Sequence, residues 1–179
     1  MSRRLVLILG GTRSGKSRFG LERATALARG EPVIYLATAQ AGDPELDVRI
    51  EGHRRVRPTS WATIEVDHDL QDTIRRCDPE RTVLLDGLTL WLSTATGHGS
   101  DIDVEAILAG PVAGALAAIV ERSAPIVVVS DEIGLGVVPM GASTRAFRDV
   151  LGIMHQRIAA AADEVHFMVA GLPMTLLNR

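Results

Sequence analysis

The sequence predicts an α/β protein, a mostly parallel sheet covered by helices on both faces. Three observations carry this expectation. Short apolar runs alternate with longer amphipathic ones along the 179 residues, the pattern of strands joined by helices. The strand-like runs are apolar at consecutive rather than alternate positions, as in strands buried on both sides. A glycine-rich turn, beginning at Gly10, joins the first such run to the first helical pattern.

The elements follow in order. Leu5-Val6-Leu7-Ile8-Leu9 is the first strand. A helix over 16–29 comes next, stopped by Gly30 with Pro32 just beyond. Residues 33–37 form the second strand, and Asp43-Pro44 is an N-cap and first-turn pair opening a helix to about Arg55. A short strand over 63–66 and a short helix over 69–77 follow. The run Thr82-Val83-Leu84-Leu85 is a buried strand ending at Asp86, succeeded by a helix through Leu88, Trp91 and Leu92. An Ala-rich helix fills much of 104–122, with Gly110-Pro111 a place for it to split. Residues 126–130 form a strand, 143–162 a helix and 164–169 the last strand. The glycine-rich gap between Asp131 and Ala142 is long for a compact fold, and such loops are often functional. No repeat, low-complexity tract or linker divides the chain, so residues 1–179 read as one domain.

Composition narrows the function classes. Apolar residues make up 46% and charged residues 23%, ordinary values for a soluble protein, while only 3% aromatics imply an aliphatic core. A net charge of -3 offers no general attraction to nucleic acid or to an anionic membrane, so phosphate must be bound by local groups. Cys77 is the sole cysteine, which excludes an intrachain disulfide and a cysteine metal cluster and fits a reducing compartment. The basic start and the run from Leu5 to Leu9 imitate a signal peptide but lead into Gly10-Gly11-Thr12-Arg13 instead of a cleavage site. Nothing else is read as approaching the ~18 apolar residues of a membrane span. A cytoplasmic protein is expected.

Gly10-Gly11-Thr12-Arg13-Ser14-Gly15-Lys16-Ser17 satisfies the P-loop pattern, with a strand before it and a helix after. Its glycines let successive N–H groups turn inward around phosphate oxygens, and the positive end of the next helix adds to the field. Lys16 brings a mobile charge to the β- and γ-phosphates, and the Ser17 hydroxyl suits Mg²⁺. Asp86, at a strand end, is the second candidate Mg²⁺ ligand, with Asp131-Glu132 after the next strand as its rival. Each of these carboxylates is also placed to cap the following helix.

Leu46, Ile50 and His53 share one face of the helix opening at Asp43, so His53 lies on the apolar side. Arg49, Arg54, Arg55 and Arg57 surround it, a cluster suited to polyphosphate. Cations around an imidazole favour its neutral, nucleophilic form. A packed core histidine and a solvated arginine face fit the same pattern, and the pattern leaves both readings open. His68, His98, His155 and His166 show no metal-ligand spacing, so no zinc site is expected. The chain also lacks an Asn-Lys-x-Asp guanine signature and a nucleophile-elbow pattern.

Taken together, the chain resembles the bifunctional adenosylcobinamide kinase / adenosylcobinamide-phosphate guanylyltransferase family of cobalamin biosynthesis. The resemblance runs nearly end to end. It rests on the P-loop, Tyr35-Leu36-Ala37-Thr38-Ala39, Arg49-Ile50-x-x-His53-Arg54-x-x-Arg57-Pro58 and Trp61-Ala62-Thr63-Ile64-Glu65. It continues through Leu84-Leu85-Asp86-Gly87-Leu88-Thr89, the stretch from Glu132 to Pro139, Arg145-Ala146-Phe147-Arg148-Asp149, Ala161-Ala162-Asp163-Glu164-Val165 and Ala170-Gly171-Leu172-Pro173.

The resemblance implies a three-layer P-loop fold of the RecA-like kind and two reactions. A nucleoside triphosphate, GTP or ATP, phosphorylates adenosylcobinamide. GTP then gives GMP to a histidine, which passes it to adenosylcobinamide phosphate to make adenosylcobinamide-GDP. The guanylylated histidine falls on His53, with Lys16 as its catalytic companion. Nucleotide contacts fall on Gly10, Gly11, Thr12, Arg13, Ser14, Gly15, Lys16, Ser17, Ala37, Thr38, Ala39, Arg54, Arg55, Val56, Arg57, Glu65 and Asp86. Mg²⁺ is the expected cofactor, on Ser17 and Asp86. The partners implied are the two corrinoid substrates and further copies of the chain, a trimer being the form associated with the family. The chain departs from the usual pattern at Asp131, at Met140-Gly141 and at His155, positions that bear more on corrinoid or subunit contacts than on GTP. A simple small-molecule kinase and a nucleotide-dependent regulatory protein are the competing readings.

Overall fold

The computed structural model describes residues 3–39, 52, 57–66, 68–97 and 102–179. Its strands are β1 (Leu5–Gly10), β2 (Ile34–Ala37), β3 (Ala62–Glu65), β4 (Val83–Asp86), β5 (Ile126–Asp131), β6 (Glu164–Val169) and β7 (Leu172–Asn178). The helices are α1 (Lys16–Ala28), α2 (Leu70–Arg76), α3 (Leu88–Thr96), α4 (Val104–Ala109), α5 (Pro111–Glu121) and α6 (Ala142–Ala161). The helix expected to open at Asp43 lies outside the described residues.

The strands form one sheet in the order β3-β2-β4-β5-β1-β6-β7. All neighbours are parallel except β6 and β7. Consecutive apolar residues let β1 serve both faces at once. Val6 and Ile8 join Leu84, Val127 and Val129 beneath α1, which packs Ala24 and Ala28 on them. Leu5 and Leu7 join Leu36, Leu85 and Val128 on the other face, under Leu70, Ile74, Trp91, Ile119, Leu151, Met154 and Ile158 from α2, α3, α5 and α6. Trp91 is almost fully buried, and its indole N–H donates to His68 O at 3.1 Å, so the largest core side chain leaves no polar atom unpaired.

Two features differ from the sequence reading. The strand over 164–169 is not the last one. Ala170 and Gly171 both have positive φ, 52° and 81°, and make a two-residue turn into antiparallel β7. Because β7 is exposed at nearly every position, it lacks the buried-strand signature, and an edge strand tolerates Pro173. The second feature is the segment Val104–Glu121, whose 18 residues and mean hydropathy of 1.7 meet the length and composition of a membrane span. In the structure Gly110 breaks it into α4 and α5, with Pro111 in the first turn of α5. Val112, Ala115 and Ile119 of α5 are buried in the core.

Opposite the glycine-rich turn, the sheet is closed by an ionic cluster. Glu164 accepts from Arg4 Nε at 3.1 Å and from Arg23 Nη2 at 2.6 and 2.7 Å, and lies 3.1 Å from His166 Nε2. Burial alone would raise its carboxyl, but the bonds from His166, Arg4 and Arg23 together outweigh burial and hold it below the usual carboxylate range. A carboxyl whose folded value lies under its unfolded value of about 4.3 stabilises the fold above that pH. The contribution disappears as pH falls through the lower, folded value. Glu164→Gln should therefore cost about 1–3 kcal/mol in urea unfolding at pH 7, and the deficit should shrink below about pH 4.

Candidate nucleotide site

Parallel register brings the functional strand ends to one level. Ala37 pairs with Glu65 on one side and Asp86 on the other, Asp86 pairs with Val129, and Gly10 pairs with Asp131. Segments separated in sequence thus end side by side at the carboxyl edge, where ligands of parallel α/β sheets gather.

From β1 the chain turns through Gly11 to Ser14 into α1. Arg13 and Gly15 have positive φ, 59° and 92°, and Ser14 N–H closes the turn on Gly11 O at 3.2 Å. Gly15 caps α1 with no side chain, so the first N–H groups of the helix are left for an anion. The loop is held from behind by Gly171 N–H, which donates to Ser14 O at 3.0 Å. Ser14 Oγ is buried without a hydrogen-bond partner, an orphaned donor inside the cradle. Gly10 leaves no room for a side chain, since a Cβ there would stand 2.5 Å from Ser14 Oγ and 3.0 Å from Met168 O.

Lys16 Nζ sits between Gly11 O at 3.2 Å and Asp131 Oδ1 at 2.5 Å. Ser17 Oγ donates to Asp86 Oδ1 at 3.1 Å, while the Tyr35 hydroxyl donates to Asp86 Oδ2 at 2.6 Å. Burial, and then the Asp86 charge, push the Tyr35 phenol far above its ordinary value, so it remains a donor. The Arg57 guanidinium stacks on the Tyr35 ring with its carbon 3.4 Å from the centroid. Thr38 Oγ1 donates to the carbonyls of Asp86 and Gly87 at 3.2 and 2.7 Å, which ties the end of β2 to the end of β4.

A second polar chain leaves the same edge. Asp131 N–H donates to Thr89 Oγ1 at 2.9 Å, Thr89 Oγ1 is 3.1 Å from Ser130 Oγ, and Ser130 Oγ is 2.8 Å from His155 Nε2 on α6. His155 Nδ1 faces Glu132 Oε2 at 3.6 Å, and Glu132 Oε1 accepts from Gly134 N–H at 2.5 Å. Burial lowers the His155 imidazole, outweighing the neighbouring carboxylates, and keeps the ring neutral at pH 7.

The structure therefore brings Gly10 to Ser17, Ala37, Thr38, Ala39, Arg57, Glu65 and Asp86 to one edge of the sheet. His53, Arg54, Arg55, Val56 and Arg49 lie outside the described residues. The sequence reading assigned no role to Tyr35, Thr89 or Ser130. A tyrosine in an otherwise aliphatic strand was the one available signal, because a buried phenol requires a partner. Thr89 and Ser130 offered no comparable sign.

The arrangement has the shape of a polyphosphate cradle with a lysine and two carboxylates beside it, the equipment of phosphoryl and nucleotidyl transfer. Residues 6–176 match the family model for cobinamide kinase / cobinamide phosphate guanyltransferase. This chain belongs to that family. It is 44% identical to the bifunctional adenosylcobalamin biosynthesis protein CobP of Pseudomonas aeruginosa over 95% of both chains. It is 37% identical to the protein CobU of Salmonella typhimurium, described in the same words, over 94% of this chain and 97% of that one. Among solved structures it is similar to the flagellar accessory protein FlaH of Methanocaldococcus jannaschii, with TM-score 0.55 and 14% identity over 98% of this chain and 79% of that one. A second solved structure, an ATPase domain, gives TM-score 0.51 and 15% identity over 92% of this chain and 69% of that one. These two likenesses bear on the fold alone, a RecA-like α/β architecture. The family makes this protein a transferase with nucleotide substrates.

Gly10→Ala tests the cradle directly. The new Cβ must displace Ser14 or the β6 backbone, so nucleotide affinity measured by calorimetry should fall at least ~10-fold, about 1.4 kcal/mol. Far-UV circular dichroism should keep its wild-type shape.

Proposed function

We propose that this protein phosphorylates the amino-propanol hydroxyl of adenosylcobinamide and then transfers GMP from GTP, through His53, to adenosylcobinamide phosphate. The product is adenosylcobinamide-GDP, and one cradle on one domain serves both transfers. The observation that carries this reading is the pairing of Lys16 with Asp131 and of Ser17 with Asp86 at adjoining strand ends, in a chain matched by the family model over residues 6–176.

The chemistry follows from these groups. Inward N–H groups of the loop and the open N-terminus of α1 bind phosphate oxygens, and Lys16 stabilises charge on the group being transferred. Arg57 is held over Tyr35 at the same edge, where its charge reaches polyphosphate. The oxygens of Ser17 and Asp86 are hard donors that suit Mg²⁺, which is usually bound through one or two carboxylates plus substrate phosphates. Bound there, Mg²⁺ would neutralise charge between the phosphates.

His53 supplies the nucleophile for the second reaction: its ring nitrogen bonds the α-phosphorus of GTP and pyrophosphate leaves. The corrinoid phosphate then displaces the imidazole. Glu65, Ala37, Thr38 and Ala39 complete the nucleotide contacts with Arg54, Arg55 and Val56. Assembly of several copies belongs to the same reading and is supported by the exposed apolar residues Leu172, Met174 and Leu176 on edge strand β7.

Two measurements test this function. Lys16→Ala should lower both kinase and guanylyltransferase rates at least ~100-fold on one preparation. A wild-type rate in either reaction would mean that the cradle is not shared. His53→Asn should abolish stable labelling by α-phosphate-labelled GTP while phosphorylation of the corrinoid hydroxyl persists. In the wild type the adduct should be acid-labile and alkali-stable, as a phosphoramidate is. Retained labelling in folded His53→Asn protein would refute the role of His53.

A further inference from the structure

We propose that Glu132 accepts the proton of the substrate hydroxyl in the kinase step, and that His155 is its positioning residue. The proposal deepens the kinase half of the function above and rests on that half alone.

Three carboxylates stand at the ends of β4 and β5, and two are already engaged. Asp131 is paired with Lys16, and Asp86 accepts from Ser17 and Tyr35. Glu132 is held differently, by the Gly134 backbone N–H, and faces the His155 imidazole at 3.6 Å. Its backbone N–H donates to Gly10 O at 3.0 Å, so the residue starts at the mouth of the cradle. It is also the root of the loop that carries Leu135, Val137, Val138 and Met140, which are 66–99% exposed. The loop ends where Arg145 Nη1 donates to Pro139 O and Met140 O at 2.9 and 2.6 Å. A large acceptor with alkyl-rich surface would rest on this apolar loop and meet Glu132 between the loop and the phosphates.

Hydrogen-bond direction supports the role of His155. The Glu132 carboxylate facing Nδ1 favours a proton there, which leaves Nε2 to accept from Ser130 Oγ and lets Ser130 accept from Thr89, whose other lone pair takes the Asp131 N–H. In that tautomer the ring proton sits on Nδ1 and faces Glu132 Oε2 at 3.6 Å. Nδ1 is buried and has no bond as short as 3.5 Å, so among the described residues Glu132 is the acceptor placed to satisfy it. Ser130 is fully buried and unavailable as a nucleophile, so the chain serves to orient.

In the step itself the hydroxyl oxygen bonds the γ-phosphorus as the bond to the β,γ-bridging oxygen breaks. The electron pair leaves with the nucleoside diphosphate. The hydroxyl proton passes to the Glu132 carboxylate and then to water.

The test compares Glu132→Gln with the His155 series on the intact protein, using adenosylcobinamide with ATP and with GTP. Glu132→Gln should lower kinase kcat by ~10²–10⁴-fold while nucleotide Kd stays within ~3-fold. Labelling by α-phosphate-labelled GTP should stay unchanged, because that half-reaction needs no substrate hydroxyl. If the histidine reading itself fails and no labelling occurs in the wild type, Kd remains the control. Asn mimics the Nδ1 donor and Gln the Nε2 end of histidine. His155→Asn should therefore keep kinase kcat within ~5-fold, whereas His155→Gln should lose ~20-fold or more at unchanged nucleotide KM. Equal losses in Asn and Gln variants of matched Tm would make His155 merely structural and overturn its part. A Glu132→Gln kcat within ~3-fold of wild type, or a parallel fall in nucleotide affinity, would overturn the proposal.

Discussion

Parallel pairing of β1 with β5, and of β5 with β4, places Gly10, Asp131 and Asp86 at one level, and the chemistry of the protein depends on that alignment. Lys16 and Ser17 begin α1 directly above those strand ends. Each reaches down to a carboxylate, Lys16 to Asp131 and Ser17 to Asp86, so the helix N-terminus is fastened at two points to two different strands. A one-residue slip of either strand would turn its carboxylate to the other face and separate the pair that carboxylate makes. The buried aliphatic residues on both faces guard against such a slip, since it would also exchange every core side chain between faces.

Charge is placed unevenly on this frame. The middle of the sheet is aliphatic, and ionic groups are confined to its two edges. At the far edge Arg4, Arg23 and His166 surround Glu164, drawn from the approach to β1, from α1 and from β6 itself. At the site edge the aromatic ring of Tyr35 carries Arg57 on its face and Asp86 on its hydroxyl. This stack turns a strand residue into a bridge between an arginine and a carboxylate, and burial keeps the phenol from ionising. Both edges fasten α1, which consequently has little freedom to tilt away from the sheet.

The connection to α6 is of another kind. Thr89 opens α3 behind Asp86, and through Ser130 and His155 it is joined to a helix whose N-terminus ends the exposed apolar loop. The glycine-rich edge and the exposed apolar loop are linked by short, directional hydrogen bonds instead of by packing alone. Directional links hold positions more narrowly than apolar contacts of similar strength, because they fail with angle as well as distance.

Much of this was legible in the sequence. Apolar runs and their spacing gave every parallel strand to within about a residue, and Gly110-Pro111 marked where α4 gives way to α5. The P-loop was readable because it is a local device, a pattern of eight consecutive residues between a strand and a helix. Asp86 was readable because it terminates a buried strand. Strand β7 was not, since an edge strand exposed on both sides lacks apolar periodicity. The partner of Asp86 on Tyr35, the tie of Lys16 to Asp131 and the route from Thr89 to His155 were also decided only by tertiary structure. These contacts join residues 25 to 115 positions apart, and which strands become neighbours is set by the packing of the whole sheet. Local chemistry can be read along a chain; the pairing of distant polar groups exists only once the core has chosen its strand order.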